Sequence, residues 1–483
     1  MADHQPVAVS APGKVLLAGG YLVLDRKHTG LVFGLDARIH CIVQEIPTSS
    51  GVVLSEISVQ SPQFENAVWH YGYRWDGKDG GMHMSELRRG GSSGLPDFKA
   101  GKYVYRHAVT YTSPAHRDAD LALSRNPFIE TALCYALSYI GSVSSPIIAP
   151  ASITVLADND YYSTPSDLDL TDRFHNFGVP ISKAHKTGLG SSAALVTALT
   201  AAVLTHYLPT TLLDITNDIG KRRLHNLAQA AHCAAQGKVG SGFDVASAVY
   251  GSCLYKRFSP DILSCHAEPG APGFASHLRA TVDDADSKWD TEITKDKVKV
   301  PKGLRLVMCD VSVGSHTPGM VKQVLAWRKG NQEEADWLWD DLQAANNALA
   351  QELTALAEAD AKVAPDYSRL RMCFSAIREL IREMGEKSEV PIEPPAQTKL
   401  LDACEAVEGV VGGTVPGAGG YDAIALLIHN KQSTVRALKV LLEGWKFEGD
   451  GVGGGKVSML EVREEMEGVR LEDFSRCESE YLQ

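Results

Sequence analysis

A glycine-rich segment near the middle of the chain constrains its fold and chemistry most. It reads Lys186-Thr-Gly-Leu-Gly-Ser-Ser-Ala-Ala-Leu195 and leads into an Ala- and Leu-rich stretch without a helix breaker. Gly188 and Gly190 permit a tight turn with unobstructed backbone N–H groups, and Ser191 and Ser192 fall where the helix would begin. Free N–H groups and the positive end of the helix dipole attract phosphate there. The segment therefore predicts either a phosphate site or an ordinary turn with a serine N-cap.

Other nucleotide-binding motifs fit this sequence poorly. The residues from Gly72 to Lys78 have the spacing of a Walker A loop, but Asp79 follows where Ser or Thr is required, and a carboxylate there would repel phosphate. The residues from Gly188 to Ala193 satisfy a loose dinucleotide pattern. The preceding stretch, 179–184, is too short and interrupted for the strand that this pattern needs. A dinucleotide-dependent oxidoreductase is therefore the weaker alternative.

Two further glycine-rich segments lie near the ends of the chain. The first, Ser10-Ala-Pro-Gly-Lys-Val-Leu-Leu-Ala-Gly-Gly-Tyr21, places Lys14 directly after a rigid Pro-Gly pair. This lysine either points its charge into a cleft or is an ordinary solvated side chain. The third segment, Gly412-Gly-Thr-Val-Pro-Gly-Ala-Gly-Gly-Tyr-Asp422, precedes an apolar strand and allows close backbone approach to a ligand, or is simply a turn.

Taken in order, the three segments resemble the GHMP kinases, which phosphorylate small molecules such as galactose, homoserine, mevalonate and phosphomevalonate. The resemblance covers nearly the whole chain. It implies an α+β, two-domain GHMP kinase fold, with an N-terminal domain like domain 2 of ribosomal protein S5 and a ferredoxin-like C-terminal domain. We expect the N-terminal domain over 1–258, with an exposed loop at about 76–98, a polar connection over 259–300, and the C-terminal domain over 301–483.

The details are most similar to the branch of the family that phosphorylates phosphomevalonate. The run from Ala231 to Gly251 and the segment from Gly314 to Lys322, followed by Trp327-Arg328, carry this likeness. It implies transfer of the ATP γ-phosphoryl group to (R)-5-phosphomevalonate, giving (R)-5-diphosphomevalonate and ADP in the mevalonate route to isoprenoids and sterols. The alternatives are a GHMP kinase with a hydroxyl acceptor such as mevalonate, and an inactive relative that only senses ligands.

The resemblance also implies roles for individual residues. Eight residues are expected to surround the ATP phosphates: Lys186, Thr187, Gly188, Leu189, Gly190, Ser191, Ser192 and Ala193. Ser192 is the expected Mg²⁺ ligand, Lys14 the active-site lysine and Asp244 the catalytic aspartate, although from the residues alone Asp244 could cap a helix. Eight further residues are expected to contact the substrate: Tyr21, Lys183, His185, Ser315, Thr317, Gly417, Gly419 and Gly420.

The nature of the acceptor changes what Asp244 must do. A phosphate monoester has a second pKa of about 6 and is already mostly dianionic at neutral pH. Removing a proton then contributes little, and a cation between the two phosphates contributes most. We therefore expect Asp244 to orient Lys14 and the acceptor, while Lys14 stabilises the charge between the phosphates.

Two positions depart from the family pattern. His232 stands where several members carry a glutamate that binds a second Mg²⁺, and we do not assign it as a metal ligand because Mg²⁺ prefers oxygen. Gly20 stands where mevalonate kinases have a glutamate, which makes Tyr21 a candidate for a contact specific to phosphomevalonate.

Composition limits the classes of partner. With 47 basic and 59 acidic residues in 483, the net charge is −12, which argues against nucleic acid or an anionic membrane. Nine scattered cysteines without a CxxC pair predict reduced thiols, and neither a signal peptide nor a transmembrane run is expected. The prediction is a cytoplasmic enzyme for a small anionic substrate; no protein partner is indicated.

Overall fold

The computed structural model describes residues 5–49, 54–87, 125–144, 147–163, 172–264, 267–311, 317–359, 364–447 and 455–474. The strands are β1 Val7–Ala18, β2 Gly30–Glu45, β3 Glu56–Gln60, β4 Val68–Asp76, β5 Gly81–Glu86, β6 Ala151–Ala157, β7 Cys253–Lys256, β8 Glu292–Thr294, β9 Leu304–Val311, β10 Val410–Thr414, β11 Ala423–His429, β12 Val457–Met459, β13 Glu464–Glu465 and β14 Arg470–Glu472. The helices are α1 Pro127–Ser144, α2 Ser191–Tyr207, α3 Asp218–Gln236, α4 Phe243–Tyr250, α5 Asp261–Ser264, α6 Phe274–Asp283, α7 Thr317–Gly330, α8 Gln332–Glu358, α9 Ser368–Ser388, α10 Pro395–Glu405 and α11 Gln432–Glu443. None of these described helices combines the length and apolar character that a membrane span requires.

The larger of two sheets forms the N-terminal body. Its main path runs β14-β1-β2-β6-β3-β4-β5, and the long strand β2 also pairs with β7 and β13. Helices α1, α2 and α4 pack directly against this sheet, and α3 and α6 pack on those helices. Helix α2 is rich in Ala and Leu and buried on nearly every side, as expected of a helix enclosed by a sheet and a second helical layer.

The smaller sheet forms the C-terminal body. Its strands run β10-β11-β9-β12, and all three pairs are antiparallel. Every residue of the central strand β9 is buried, because α9, α10 and α11 pack around the sheet and their apolar faces complete the core. The expected α+β fold of two domains is confirmed.

The domain limits expected from the sequence stay a prediction, and the strand pairing suggests different ones. The region 259–300 contains α6, which packs on α1 and α3, and β8, which pairs with β7. Strands β13 and β14 return to pair with β2 and β1. We therefore propose that the N-terminal body extends through β8 and also takes in residues 464–472.

The prediction of an exposed loop at about 76–98 is wrong in its first part. Residues Gly81–Glu86 form β5, which pairs with β4 and packs on α1. Met82 and Met84 are buried and alternate with exposed residues. This alternation is that of a strand with one buried and one exposed face, and the strand forms although glycines surround it. Residues 88–98 lie outside the described part of the chain.

Candidate active site

A cleft of about 550 Å³ lies between the two bodies. The N-terminal body contributes the end of β1, the loop from Thr187 and the start of α4. The C-terminal body contributes apolar side chains from β9 and α7 and the third glycine-rich segment. The cleft therefore combines a charged wall with an apolar one.

An irregularity in β1 places Lys14 in this cleft. The register between β1 and β2 shifts between Pro12 and Gly13. A Cβ at Gly13 would lie 3.0 Å from Tyr161 Oη and 3.1 Å from Leu189 O, so a larger residue would press on both. Directly after it, the Lys14 N–H donates to Leu189 O at 2.8 Å, which joins the strand to the loop over residues 186–192. We call this segment the nucleotide loop after the role expected from the sequence.

The Lys14 side chain lies along the nucleotide loop. Its Nζ donates to Gly188 O at 2.9 Å and lies 5.8 Å from the centroid of the Phe243 ring. Burial lowers the pKa of Lys14, and the attraction of Asp244 opposes this shift. The ammonium is thus placed between the loop and the helix that carries Asp244.

Asp244 lies in the first turn of α4 and does not cap it. The cap position is Gly242, with φ of 85°, so the helix-cap alternative for Asp244 is wrong. Asp244 Oδ1 accepts from Val245 N at 3.0 Å, and Oδ2 lies 3.9 Å from His232 Nε2. The carboxylate therefore faces the cleft at the positive end of a helix dipole.

The nucleotide loop forms the tight turn that its glycines predicted. Gly188 and Gly190 have φ of 76° and 84°, and Gly190 is the N-cap residue of α2. A Cβ at Gly190 would lie 2.8 Å from Lys14 Cε. Leu189 and Ala193 are buried beneath the loop and anchor it, so the expected tight turn is present at the start of α2, and its binding of phosphate stays a prediction.

A second cavity of about 210 Å³ lies on the other side of this loop. Trp69, Phe128 and Ile181 provide apolar surface, and Lys186, Ser191 and Ser192 line the same cavity. Burial lowers the pKa of Lys186. The first turn of α2 thus borders this second cavity, while Gly188 borders the larger cleft.

The third glycine-rich segment crosses to the N-terminal body. Gly417 N donates to Leu16 O at 3.0 Å, and Tyr21 Oη donates to Ala418 O at 2.7 Å. A Cβ at Gly20 would lie 2.1 Å from Gly417 O. The glutamate found here in mevalonate kinases would therefore not fit, which explains this departure from the family pattern.

Four of the expected substrate contacts lie in or near the third glycine-rich segment, and three of them line the cleft. Tyr21, Gly417 and Gly419 line the cleft. Gly420 is not among the lining residues, and its N–H donates to Ile392 O at 2.8 Å, so its observed contact supports the loop.

Among the remaining expected contacts, Lys183 and His185 are not brought to either cavity. Lys183 ends a short 3-10 helix at Ile181–Lys183, and both Lys183 and His185 are exposed outside the residues that line the two cavities. Thr317 begins α7, and Ser315 lies outside the described residues. These roles stay predictions.

Comparison with known proteins places the chain in a family. Residues 168–252 match the GHMP kinases N terminal domain, and residues 370–446 match the GHMP kinases C terminal domain. Across 476 residues the chain is 52% identical to the protein named phosphomevalonate kinase ERG8 from Gibberella zeae, with 98% of each chain covered. The chain belongs to the GHMP kinase family.

Two further proteins extend the comparison of this GHMP kinase. Phosphomevalonate kinase erg8 from Aspergillus fumigatus is 47% identical over 502 residues, with 96% of each chain covered. The solved structure of Streptococcus pneumoniae phosphomevalonate kinase in complex with phosphomevalonate and AMPPNP is similar with a TM-score of 0.55 and 16% identity. That match covers 90% of this chain and 95% of that chain, and at such identity it shows the fold alone.

Several residues that line the cleft of this GHMP kinase were not assigned from the sequence. Those from the N-terminal body are Gln229, Gln236, Lys238 and Arg257, and those from the C-terminal body are Met308, Val321, Leu325 and Asp422. The two glutamines continue the polar stripe of α3 that contains His232, so helical periodicity could have indicated them. Lys238 and Asp422 lie in segments already noted in the sequence but were given no role, and no pattern local in sequence indicates the other residues.

Arg257 is the most informative of these missed residues. Its Nη1 donates to Leu24 O at 2.6 Å, and its Nη2 donates to Gly240 O at 2.8 Å. Tyr255, which lies in β7 two residues before Arg257, donates to Ser241 O at 2.7 Å. Together these two side chains fix the backbone that leads into α4 and Asp244.

Asp160, beneath the nucleotide loop, gives a testable dependence of stability on pH. Thr187 Oγ1 donates to Asp160 O at 2.5 Å. Burial raises the pKa of Asp160 from 3.8 to about 6; Asp158 and other nearby carboxylates add to this shift, while a hydrogen bond from Glu461 N opposes it. Because the folded pKa is the higher one, the ionised carboxylate destabilises the fold above about pH 6, and the cost disappears below about pH 4.

We therefore expect Asp160→Asn to raise the free energy of unfolding by about 1–2 kcal/mol at neutral pH, after allowance for solvent screening, and to have little effect near pH 4. Urea unfolding at both pH values measures this difference. Asp286→Asn, at an exposed residue, is the matched control. An equal gain at both pH values would contradict the argument.

Proposed function

We propose that this GHMP kinase transfers the γ-phosphoryl group of ATP to (R)-5-phosphomevalonate, giving (R)-5-diphosphomevalonate and ADP. The observation that carries the proposal is the position of Lys14, which lines the larger cleft and whose Nζ donates to Gly188 O and is attracted by Asp244. The names of relatives that match this chain over nearly its full length support the choice of acceptor.

The two cavities suggest a division between the two substrates. The smaller cavity, with Trp69 and Phe128, offers aromatic surface for the nucleotide base. The phosphates would then follow the loop from Gly188 to Ser192, where N–H groups begin α2. The acceptor would occupy the larger cleft, with its phosphate towards Lys14.

Lys14 has the main electrostatic task in this proposal. The acceptor phosphate and the transferred phosphoryl group are both anionic, and their approach is unfavourable until positive charge lies between them. Lys14 is held for this purpose by Gly188 O and by attraction to Asp244. Asp244 acts chiefly by orienting Lys14 and the acceptor, since the acceptor oxygen is already deprotonated.

The residues around Ser192 suit Mg²⁺. No cluster of three His, Cys, Asp or Glu side chains that could bind a metal occurs in the described part of the chain, which fits an ion bound largely by nucleotide phosphates and water. Ser192 Oγ would supply a protein ligand at the start of α2, and oxygen donors are those that Mg²⁺ prefers. Bound Mg²⁺ would neutralise charge on the ATP phosphates.

Two alternatives are less well supported. An inactive ligand sensor would not need Lys14, Ser192 and Asp244 together, yet all three lie around the nucleotide loop. A hydroxyl acceptor such as mevalonate would need a base to remove its proton. A cytoplasmic location and the absence of a protein partner stay predictions from the sequence.

The test is ADP release with saturating ATP and each of five acceptors: mevalonate, phosphomevalonate, diphosphomevalonate, galactose and homoserine. We expect phosphomevalonate to give the highest kcat/KM by at least about 100-fold. A site built to bind the phosphate group of this acceptor loses those interactions with an acceptor that lacks the group. Higher kcat/KM for mevalonate than for its phosphate would contradict the assigned acceptor. Absence of ADP release with every acceptor would favour the ligand sensor.

A further inference from the structure

His232 is a buried side chain of the cleft that the proposed reaction leaves without a task. It lies on α3 and is 2% exposed. Its Nε2 lies 3.1 Å from Ser192 Oγ, 3.3 Å from Gln236 Nε2 and 3.9 Å from Asp244 Oδ2. The same nitrogen, Nε2, therefore lies near two side chains: Ser192 at the start of α2 and Asp244 at the start of α4.

The neighbours of His232 indicate where its proton lies. The amide nitrogen of Gln236 faces Nε2 and can only donate a hydrogen bond. With this orientation of the amide, we assign the ring proton to Nδ1, so that Nε2 is the acceptor. Its single lone pair is shared by two donors, and the shorter of the two contacts is the one from the Ser192 hydroxyl, at 3.1 Å against 3.3 Å from Gln236. The Asp244 oxygen, at 3.9 Å, is too far to take part in this bond.

This arrangement has a consequence for the Ser192 oxygen. A hydroxyl has one proton and two lone pairs. When the proton is directed at His232, both lone pairs are directed away from the ring. Ser192 also lines the cavity beside the nucleotide loop. The oxygen is thus oriented as a ligand for a cation, in the way that a hydrogen-bonded neighbour orients a metal ligand.

We propose that His232 is a positioning residue that fixes the Ser192 hydroxyl so that its oxygen binds the divalent cation carried by a nucleoside triphosphate. This inference rests on the proposed function only in taking ATP with Mg²⁺ as the ligand; it does not depend on the acceptor. His232 itself does not bind the cation.

A merely structural role for His232 is the competing explanation, since its ring also lies 5.7 Å from the ring of Phe128. The chain offers a matched control for this role. His225 is on the same helix two turns earlier and is equally buried, but it is not among the residues that line the cleft. His225→Leu removes a buried imidazole from α3 without touching Ser192.

The experiment measures the affinity for AMPPNP by calorimetry, with and without Mg²⁺, on the full chain. We expect Mg²⁺ to increase affinity in the natural protein. In His232→Leu the increase should be about tenfold smaller, as is usual when the partner of a metal ligand is removed, while the metal-free affinity is unchanged. His232→Gln should recover most of the increase, because its amide oxygen can accept from Ser192. His225→Leu should keep the full increase.

Ser192→Ala completes a double-mutant cycle that separates coupling from general damage. Once Ser192 is replaced, the further change His232→Leu should have no effect on the Mg²⁺-dependent increase. Additive losses from the two substitutions would overturn the proposal, as would a full increase in His232→Leu or an equal loss in His225→Leu. Since no acceptor is present, an error in the assigned acceptor would leave these results unchanged.

Discussion

Lys14→Met is expected to lower turnover by about 10³-fold, the upper range for losing one group that stabilises charge in a transition state. Methionine retains much of the length of the side chain but removes the ammonium that bonds to Gly188 O at 2.9 Å. The two phosphates would then approach each other without positive charge from this position. ADP release at saturating ATP and phosphomevalonate measures the loss.

Asp244→Asn should cost much less, about 10- to 100-fold, because an already ionised acceptor needs no general base. The amide oxygen can still accept from Val245 N, as Oδ1 does at 3.0 Å, so the start of α4 is preserved. Only the attraction that helps to orient Lys14 is lost.

The comparison between these two variants distinguishes stabilisation of charge by Lys14 from removal of a proton by Asp244. Lys439→Met is the matched control, since Lys439 is an exposed lysine on α11, and its turnover should be unchanged. Near-normal turnover in Lys14→Met would contradict the electrostatic role. A larger loss in Asp244→Asn than in Lys14→Met would instead indicate that a proton must be removed from the acceptor.

Gly20→Ala is expected to lower turnover by about 100-fold, the loss typical of displacing active-site groups by about 1 Å. The added Cβ would lie 2.1 Å from Gly417 O, and both atoms belong to backbone segments that bond to each other. Relief of this overlap requires Gly417 to move away from Leu16, which also disturbs the bond from Tyr21 to Ala418. The third glycine-rich segment would then leave its place in the cleft.

The same substitution should lower the free energy of unfolding by about 1–3 kcal/mol, the usual cost of inserting a methyl group into a packed site. Gly77→Ala is the matched control, because a Cβ there meets nothing within 4 Å. Thermal unfolding and ADP release together test the prediction. Turnover and stability equal to those of the control would contradict the prediction, because the segments that carry Gly20 and Gly417 would then separate without a cost in free energy.

Features that are local in sequence could be predicted well. The nucleotide loop was recognisable because one continuous stretch supplies its glycines, its serines and the helix that follows. The polar stripe of α3 could have been predicted in the same way, because residues four apart share a helix face. His232 and Gln236 are such a pair, and both line the cleft.

Features that depend on distant pairing could not be predicted. The position of Arg257 follows from the pairing of β7 with β2, which brings together residues more than 200 apart in sequence. The apolar wall from β9 and α7 exists only because the two bodies meet. Strand β5 was missed for a different reason, since the glycines and charges around it hid the alternation of Met82 and Met84.

The return of β13 and β14 to the larger sheet affects how the protein is made. A ribosome releases the N-terminal body early, yet β1 must wait for Arg470–Glu472 to be synthesised before its outer edge is paired. Until then that edge presents unpaired N–H and C=O groups, which are a template for aggregation. The nascent chain therefore emerges with its first domain unfinished, and chaperones that shield exposed strand edges should matter for this protein until its last strand has been synthesised.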